Sequence, residues 1–194
     1  LSQLKDRDGG TLCRALLMID VTEKRKLLEQ MQRLAMTDPL TGLFNRRQID
    51  TQGRHLFSLA RRNRTPFSIA IIDIDHFKRI NDQQGHQAGD EVLRQISSLI
   101  VNRLRTTDVI GRFGGDEFVI GLPGTALVPA VQLMLDLNDT CRNTTNVTLS
   151  IGVAEQNQET PDFDALINQA DDQLYQAKSA GRDQVMPTRT KMPS

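Results

Sequence analysis

GRFGGDEFVIGL, residues 111–122, reads as a β-hairpin. Two short apolar runs, 109–113 and 118–122, meet across Gly114-Gly115, a pair that tolerates the positive φ angles a tight turn demands. Asp116 and Glu117 leave the turn at once, and because neighbouring strand residues point to opposite faces, each carboxylate is free for a separate job. Two acids beside a backbone bare of side chains suit a metal ion and a phosphate.

Upstream of the hairpin, FSIAIIDI (67–74) is a nearly continuous apolar run, the pattern of a central strand buried on both faces. It closes in Asp73-Ile74-Asp75, and a carboxylate there is costly unless something cationic meets it. Residues 76–89 read as a polar loop carrying Lys78, Asn81 and His86. Asp90 opens a helix over 90–104 with the stripe Val92, Ile96, Leu99 and Ile100. Downstream come a helix over 126–141, a strand over 147–154, and a helix over 163–179 with Leu166, Ile167, Ala170, Leu174 and Tyr175 inward. A last strand covers 184–186, and 188–194 is a tail.

Strand, helices, two hairpin strands, helix, strand, helix is the order of an α+β fold: an antiparallel split-βαβ sheet with flanking helices on one face. A right-handed crossover from 67–73 to 109–113 leaves a gap that the returning strand 117–122 fills, antiparallel to both. Asp73 and Asp116 then fall at the same edge of the sheet. Two carboxylates and a nearby carbonyl make an all-oxygen site for a hard cation, Mg²⁺ or Mn²⁺, carrying substrate phosphates. That arrangement serves metal-assisted phosphoryl transfer.

The 194 residues fit one domain plus an appendage, and a net charge of zero gives no bulk electrostatic case for nucleic acid. Cys13 and Cys141 lie too far apart for a metal spacing and read as thiols of a reducing compartment, pointing to the cytoplasm. The apolar run 15–19 is too short to span a bilayer, and a chain beginning at Leu1 suggests a fragment whose missing part could hold a sensor or membrane anchor. Residues 1–22, with an Asp8-Gly9-Gly10 turn before a strand over 11–20, resemble the last strands of a PAS sensory domain. Residues 23–36 form an N-terminal helix whose Leu27, Met31 and Leu34 stripe pairs with another helix or packs on its own domain. Thr37-Asp38-Pro39 then caps the start of a new domain, 37–187, and a basic amphipathic helix follows over 45–64.

From Thr37 to Met186 the chain resembles the GGDEF domain of diguanylate cyclases, which condense two GTP into cyclic di-GMP. The resemblance rests on TDPLTGLFNRR, DIDHFKRIND, GHQAGDE, RTTDVIGRFGGDEF, LSIGVA and ADDQLYQAKSAGRDQV, in that order. It implies a palm-like, nucleotide-cyclase-like sheet. It also implies that Asp73, Asp116 and the Ile74 carbonyl hold Mg²⁺, with Glu117 serving a second metal or helping to deprotonate the ribose 3′-hydroxyl. Whether Asp116 or Glu117 is the base stays open. Gly114 and Gly115 would admit the phosphates, Asn81, His86 and Asp90 the guanine, and Lys78, Lys178 and Arg182 the triphosphate. Arg105 and Asp108 match an R-x-x-D product-inhibition site. The resemblance further implies a homodimer, since one site cannot present both 3′-hydroxyls to both α-phosphates. The alternative is a domain that has given up synthesis and serves as a cyclic di-GMP receptor.

Overall fold

The computed structural model describes residues 2–5, 8, 11–15 and 36–188, in two compact units divided after residue 35. In the first, β1 (Ser2–Lys5) and β2 (Thr11–Ala15) pair antiparallel with Ser2 opposite Ala15. The expected continuation of that strand to residue 20, and the helix over 23–36 except for Met36, lie outside the described residues. Among the described residues no helix is long and apolar enough to cross a membrane.

The second unit runs β3 (Phe44–Asn45), α1 (Arg46–Asn63), β4 (Phe67–Ile74), α2 (Phe77–Gln84), α3 (His86–Val101), β5 (Val109–Gly114), β6 (Glu117–Pro123), α4 (Leu127–Thr145), β7 (Leu149–Glu155), α5 (Phe163–Ser179) and β8 (Gln184–Pro187). Its six strands lie in the order β3-β5-β6-β4-β7-β8. The returning strand β6 fills the gap between β5 and β4, antiparallel to both, and β7 flanks β4 antiparallel on its other side. The outermost pairs, β3 with β5 and β7 with β8, are parallel, so the sheet is antiparallel at its centre and mixed at its margins.

Helices cover both faces rather than one. Every residue of β4 is buried, and alternation sends Ala70, Ile72 and Ile74 to one side and Phe67, Ile69 and Ile71 to the other. A strand apolar on both faces needs a layer on each. On the first side pack Leu93, Ile96 and Ile100 of α3 with Ala130, Met134 and Leu137 of α4. On the second pack Ile49, Phe57 and Ala60 of α1 with Phe163, Leu166, Ala170 and Leu174 of α5. The α5–β7 contact is so close that a Cβ on Gly152 would lie 2.0 Å from the Ala170 carbonyl oxygen.

Three further expectations are corrected. The stretch 76–89 is not a loop: α2 occupies most of it, and α3 starts at His86 after a break at Gly85, whose φ is 85°. The helix hides from a periodicity search because none of its residues is buried and only Phe77 and Ile80 lean on the core. Asp90 consequently sits inside α3 instead of capping it. Tyr175 is 67% exposed, because the inward stripe of α5 passes from Leu174 to Ala177 and leaves Tyr175 outside.

Candidate active site

The β4/β6 register places Asp73 directly opposite Glu117, and the Ile74 N–H donates to the Asp116 carbonyl at 3.3 Å. Asp73, Ile74, Asp116 and Glu117 are thereby gathered at one end of the two central strands. Between Asp116 and the end of β5, Gly114 and Gly115 take φ of 156° and 54°, and a Cβ on either would meet no atom within 4 Å. The space above the turn is open backbone.

Asp73 is 8% exposed, and its cationic partner is Lys178 of the last turn of α5, whose Nζ donates to Asp73 Oδ2 at 2.7 Å. Burial pushes the Asp73 carboxyl up, the Lys178 bond pulls it down, and the neighbouring charges of Asp116 and Glu117 push it up again, to about 6. Three acids therefore share one region with a single ammonium against Asp73. Among the described residues no three acidic, histidine or cysteine side chains converge as a finished metal cage. The donor set, carboxylate and carbonyl oxygens with uncompensated negative charge, nevertheless fits a hard divalent cation, which would take over the neutralising work of Lys178.

Sequence reasoning overlooked the brace beneath the turn. Arg112 donates from Nε and Nη2 to the Gly115 carbonyl at 2.9 and 2.6 Å, and from Nη1 to the Asp38 carboxylate at 3.2 and 3.3 Å. Asp38 also accepts from the Thr41 N–H and hydroxyl at 2.9 and 2.7 Å. Burial raises the Asp38 carboxyl, but the two Thr41 bonds and Arg112 outweigh it and hold the group below its ordinary value. One guanidinium fork thus ties the turn to the start of the unit. The signal was an arginine one residue before Phe113-Gly114 and an aspartate in TDPLTGL, but nothing in the sequence pairs them.

The remaining candidates divide by place. Asn81 of α2 rests against α3 at Gly89, where a Cβ would lie 2.0 Å from the Asn81 Oδ1, and Asp90 follows immediately, so the fold brings Asn81 and Asp90 together. Lys78, in the first turn of α2, and His86, the first residue of α3, are exposed. Arg182 is exposed just beyond α5 with φ of 65°. Arg105 and Asp108 close a turn of their own: the Arg105 N–H donates to Asp108 Oδ2 at 2.8 Å, and Asp108 Oδ1 is buried without a hydrogen-bond partner among the described residues. A cleft of about 1160 Å³ among the described residues, with Gln156, Gln173 and Met186 in its lining, holds none of these residues. It lies beside the C-terminal end of β7, whereas Asp73 faces Ser150 near the N-terminal end.

Comparison with known proteins bears on this geometry. Residues 35–184 match the family model described as "Diguanylate cyclase, GGDEF domain". The chain is 42% identical over 168 residues to the probable diguanylate cyclase DgcC of Escherichia coli, covering 81% of this chain and 45% of that one. It is 40% identical over 172 residues to the response regulator PleD of Caulobacter vibrioides, covering 84% and 38%. Among solved structures, the coiled coil and GGDEF domain of DgcB from Caulobacter crescentus, in complex with c-di-GMP, superposes with a TM-score of 0.82 at 31% identity, covering 87% of this chain and 94% of that one. The chain spans less than half the length of these curated relatives.

Proposed function

Since this chain belongs to the GGDEF-domain family of diguanylate cyclases, we propose that it condenses two GTP into cyclic di-GMP. In each half of the reaction a ribose 3′-oxygen attacks the α-phosphorus of the other GTP, a phosphodiester bond forms, and the bond to pyrophosphate breaks. Two domains, each holding one GTP, meet face to face to supply both halves, with residues 23–36 as the element that brings copies together.

The observation that carries this reading is the meeting of Asp73, Asp116, Glu117 and Lys178 at one end of β4 and β6, beside an open Gly114-Gly115 backbone. Asp73, Asp116 and the Ile74 carbonyl are the groups to hold Mg²⁺ or Mn²⁺, with Glu117 available for a second ion. When bound, the metal supplies charge neutralisation for the phosphates and for the 3′-oxygen as it loses its proton. Asp116 or Glu117 takes that proton. Asn81 and Asp90 hold the guanine edge, with His86 nearby on α3, and the exposed Lys78 and Arg182, with the half-buried Lys178, meet the negative charge that shifts onto the leaving pyrophosphate. Arg105 and Asp108 bind the product as a brake. The acids of the turn and the Asn81–Asp90 pair are all present, which favours synthesis over a receptor role.

The test is incubation with GTP and Mg²⁺ and identification of the product by mass, with Asp116→Ala alongside. A mass of cyclic di-GMP that disappears in the variant is the expected result. No such product from the wild type, across protein concentrations high enough to pair the domains, would refute the reading.

A further inference from the structure

Asp75 lies two residues beyond Asp73, is 4% exposed, and has no role in the chemistry above. Its carboxylate takes three hydrogen bonds: from the Thr148 hydroxyl at 2.7 Å, the Ser150 hydroxyl at 2.6 Å and the Asp183 N–H at 3.0 Å. Its own N–H donates to the Thr148 carbonyl at 3.0 Å. A buried carboxylate is tolerated when its oxygens are satisfied in this way, and oxygens so engaged are poorly placed to ligate a metal.

What this carboxylate holds is an unusual piece of backbone. Gly181, Arg182 and Asp183 take φ of 114°, 65° and 50°, three successive positive values of which two belong to residues with side chains. Such a run persists only where its surroundings over-determine it. The Arg182 N–H donates to the Ala177 carbonyl at 3.0 Å, and the Arg182 carbonyl accepts from Gln184 Nε2 at 3.1 Å. The Asp183 carboxylate accepts from Asn138 Nδ2 at 3.0 Å and from Arg142 at 3.0 and 2.6 Å, while Asn138 Oδ1 accepts from the Leu149 N–H at 3.0 Å. The loop after α5 is thus clamped to α4, to the start of β7 and, through Asp75, to the end of the strand that bears Asp73.

We propose that Asp75 is a positioning residue of the cyclase: it locks the 181–183 loop to the end of β4, so that Arg182 is held against the nucleotide's triphosphate in fixed register with Asp73. This rests on the reading of Arg182 as a triphosphate ligand. Asp75 touches neither substrate nor metal and acts through the loop.

The experiment compares Asp75→Ala and Asp75→Asn, each alone and combined with Arg182→Ala, in the whole chain. An asparagine keeps an oxygen for the Asp183 N–H and turns its amide toward a hydroxyl that can also accept, so it preserves the lock. Misplacing a binding group by a fraction of its own length is costly, so Asp75→Ala is expected to raise KM for GTP about 10-fold or more with a much smaller change in kcat, and Asp75→Asn to restore it within about threefold. In the Arg182→Ala background, Asp75→Ala should add less than about twofold, because the two residues act as one unit. Amide hydrogen exchange at 182–184 should accelerate in Asp75→Ala while the centres of β4 and β7 stay protected. Should Asp75→Ala not fold, Asp75→Ser keeps a polar group in the buried position but is too short to reach the Asp183 N–H, and carries the same expectations. Additive KM effects, failure of asparagine to rescue, or unchanged exchange at 182–184 would each overturn the proposal. A wild type that makes no cyclic di-GMP would refute the cyclase reading instead, and the exchange comparison would still decide whether Asp75 holds the loop.

Discussion

Replacing Arg112 by alanine should damage stability and turnover together, in a pH-dependent way. Its guanidinium makes two bonds to the Gly115 carbonyl and two to Asp38, with the side chain 15% exposed. A hydrogen bond to a charged group contributes roughly 1.5–3 kcal/mol, but these four share two acceptor groups and retain some water, so the loss should total about 2–4 kcal/mol. Arg112→Lys keeps the charge and loses the fork, and should recover about half of it. The Asp38 carboxyl lies below its ordinary value, so it contributes stability that is present above the unfolded pKa near 3.8 and lost as pH falls through the folded value. Part of that depression comes from Arg112, so the gap between wild type and variant should narrow below about pH 4. Urea unfolding followed by circular dichroism at neutral pH and near pH 3.5 reads both effects. With the Gly115 carbonyl unheld, kcat should fall about 10- to 100-fold. Unfolding free energies at neutral pH that agree within about 0.5 kcal/mol would show that the brace carries no weight.

Gly152→Ala would drive a Cβ to 2.0 Å from the Ala170 carbonyl and 2.3 Å from the Leu174 nitrogen, so helix and strand must separate, and we expect a loss of about 3 kcal/mol or more in thermal or urea unfolding. Asp73, pushed up to about 6, must deprotonate to take a metal, so Mg²⁺ affinity by calorimetry should fall about tenfold per pH unit below 6, with the dependence gone in Asp73→Asn. The same raised value makes the metal-free protein lose stability as pH rises through about 6. Asp90 can accept from two parallel guanine donors and offers adenine nothing, so the kcat/KM preference for GTP over ATP is expected to be roughly 10⁴-fold in the wild type and to collapse in Asp90→Ser; an unchanged ratio would assign guanine reading elsewhere. Arg105→Ala should raise the product concentration needed for inhibition and leave the initial rate nearly intact, since Arg105 precedes the Val109 end of β5 and the acidic cluster lies by the Gly114 end; inhibition at an unchanged concentration would move the brake.

The placement of Asp73 against Asp116 and Glu117 was legible because two local signals compel it: an apolar strand ending in acids, and a glycine turn that sends the next strand back alongside. Register follows from alternation once one face must be dry. What stayed hidden depends on partners far apart in sequence. Arg112 and Asp38 are 74 residues apart, and neither is unusual where it stands. Asp75 reads as one more acid of a strand end until Thr148, Ser150 and Asp183 surround it. The helix α2 went unread because only Phe77 and Ile80 lean on the core, too few apolar positions to set a helical rhythm. The run FSIAIIDI already implied two helical layers, since an antiparallel strand with one wet face alternates apolar with polar residues, and this run is apolar at both parities.

The sheet's two margins are small. One is the two-residue strand β3; the other is the four-residue β8, which ends in Pro187, a residue with no N–H to offer. An edge that short is a poor template for strand addition, the usual route by which sheets fuse into aggregates. A domain proposed to work through repeated encounters with its own copy can therefore be crowded against it without the two sheets zipping together. On that proposal encounters should stay reversible, with crowding raising the number of productive meetings rather than the amount of precipitate.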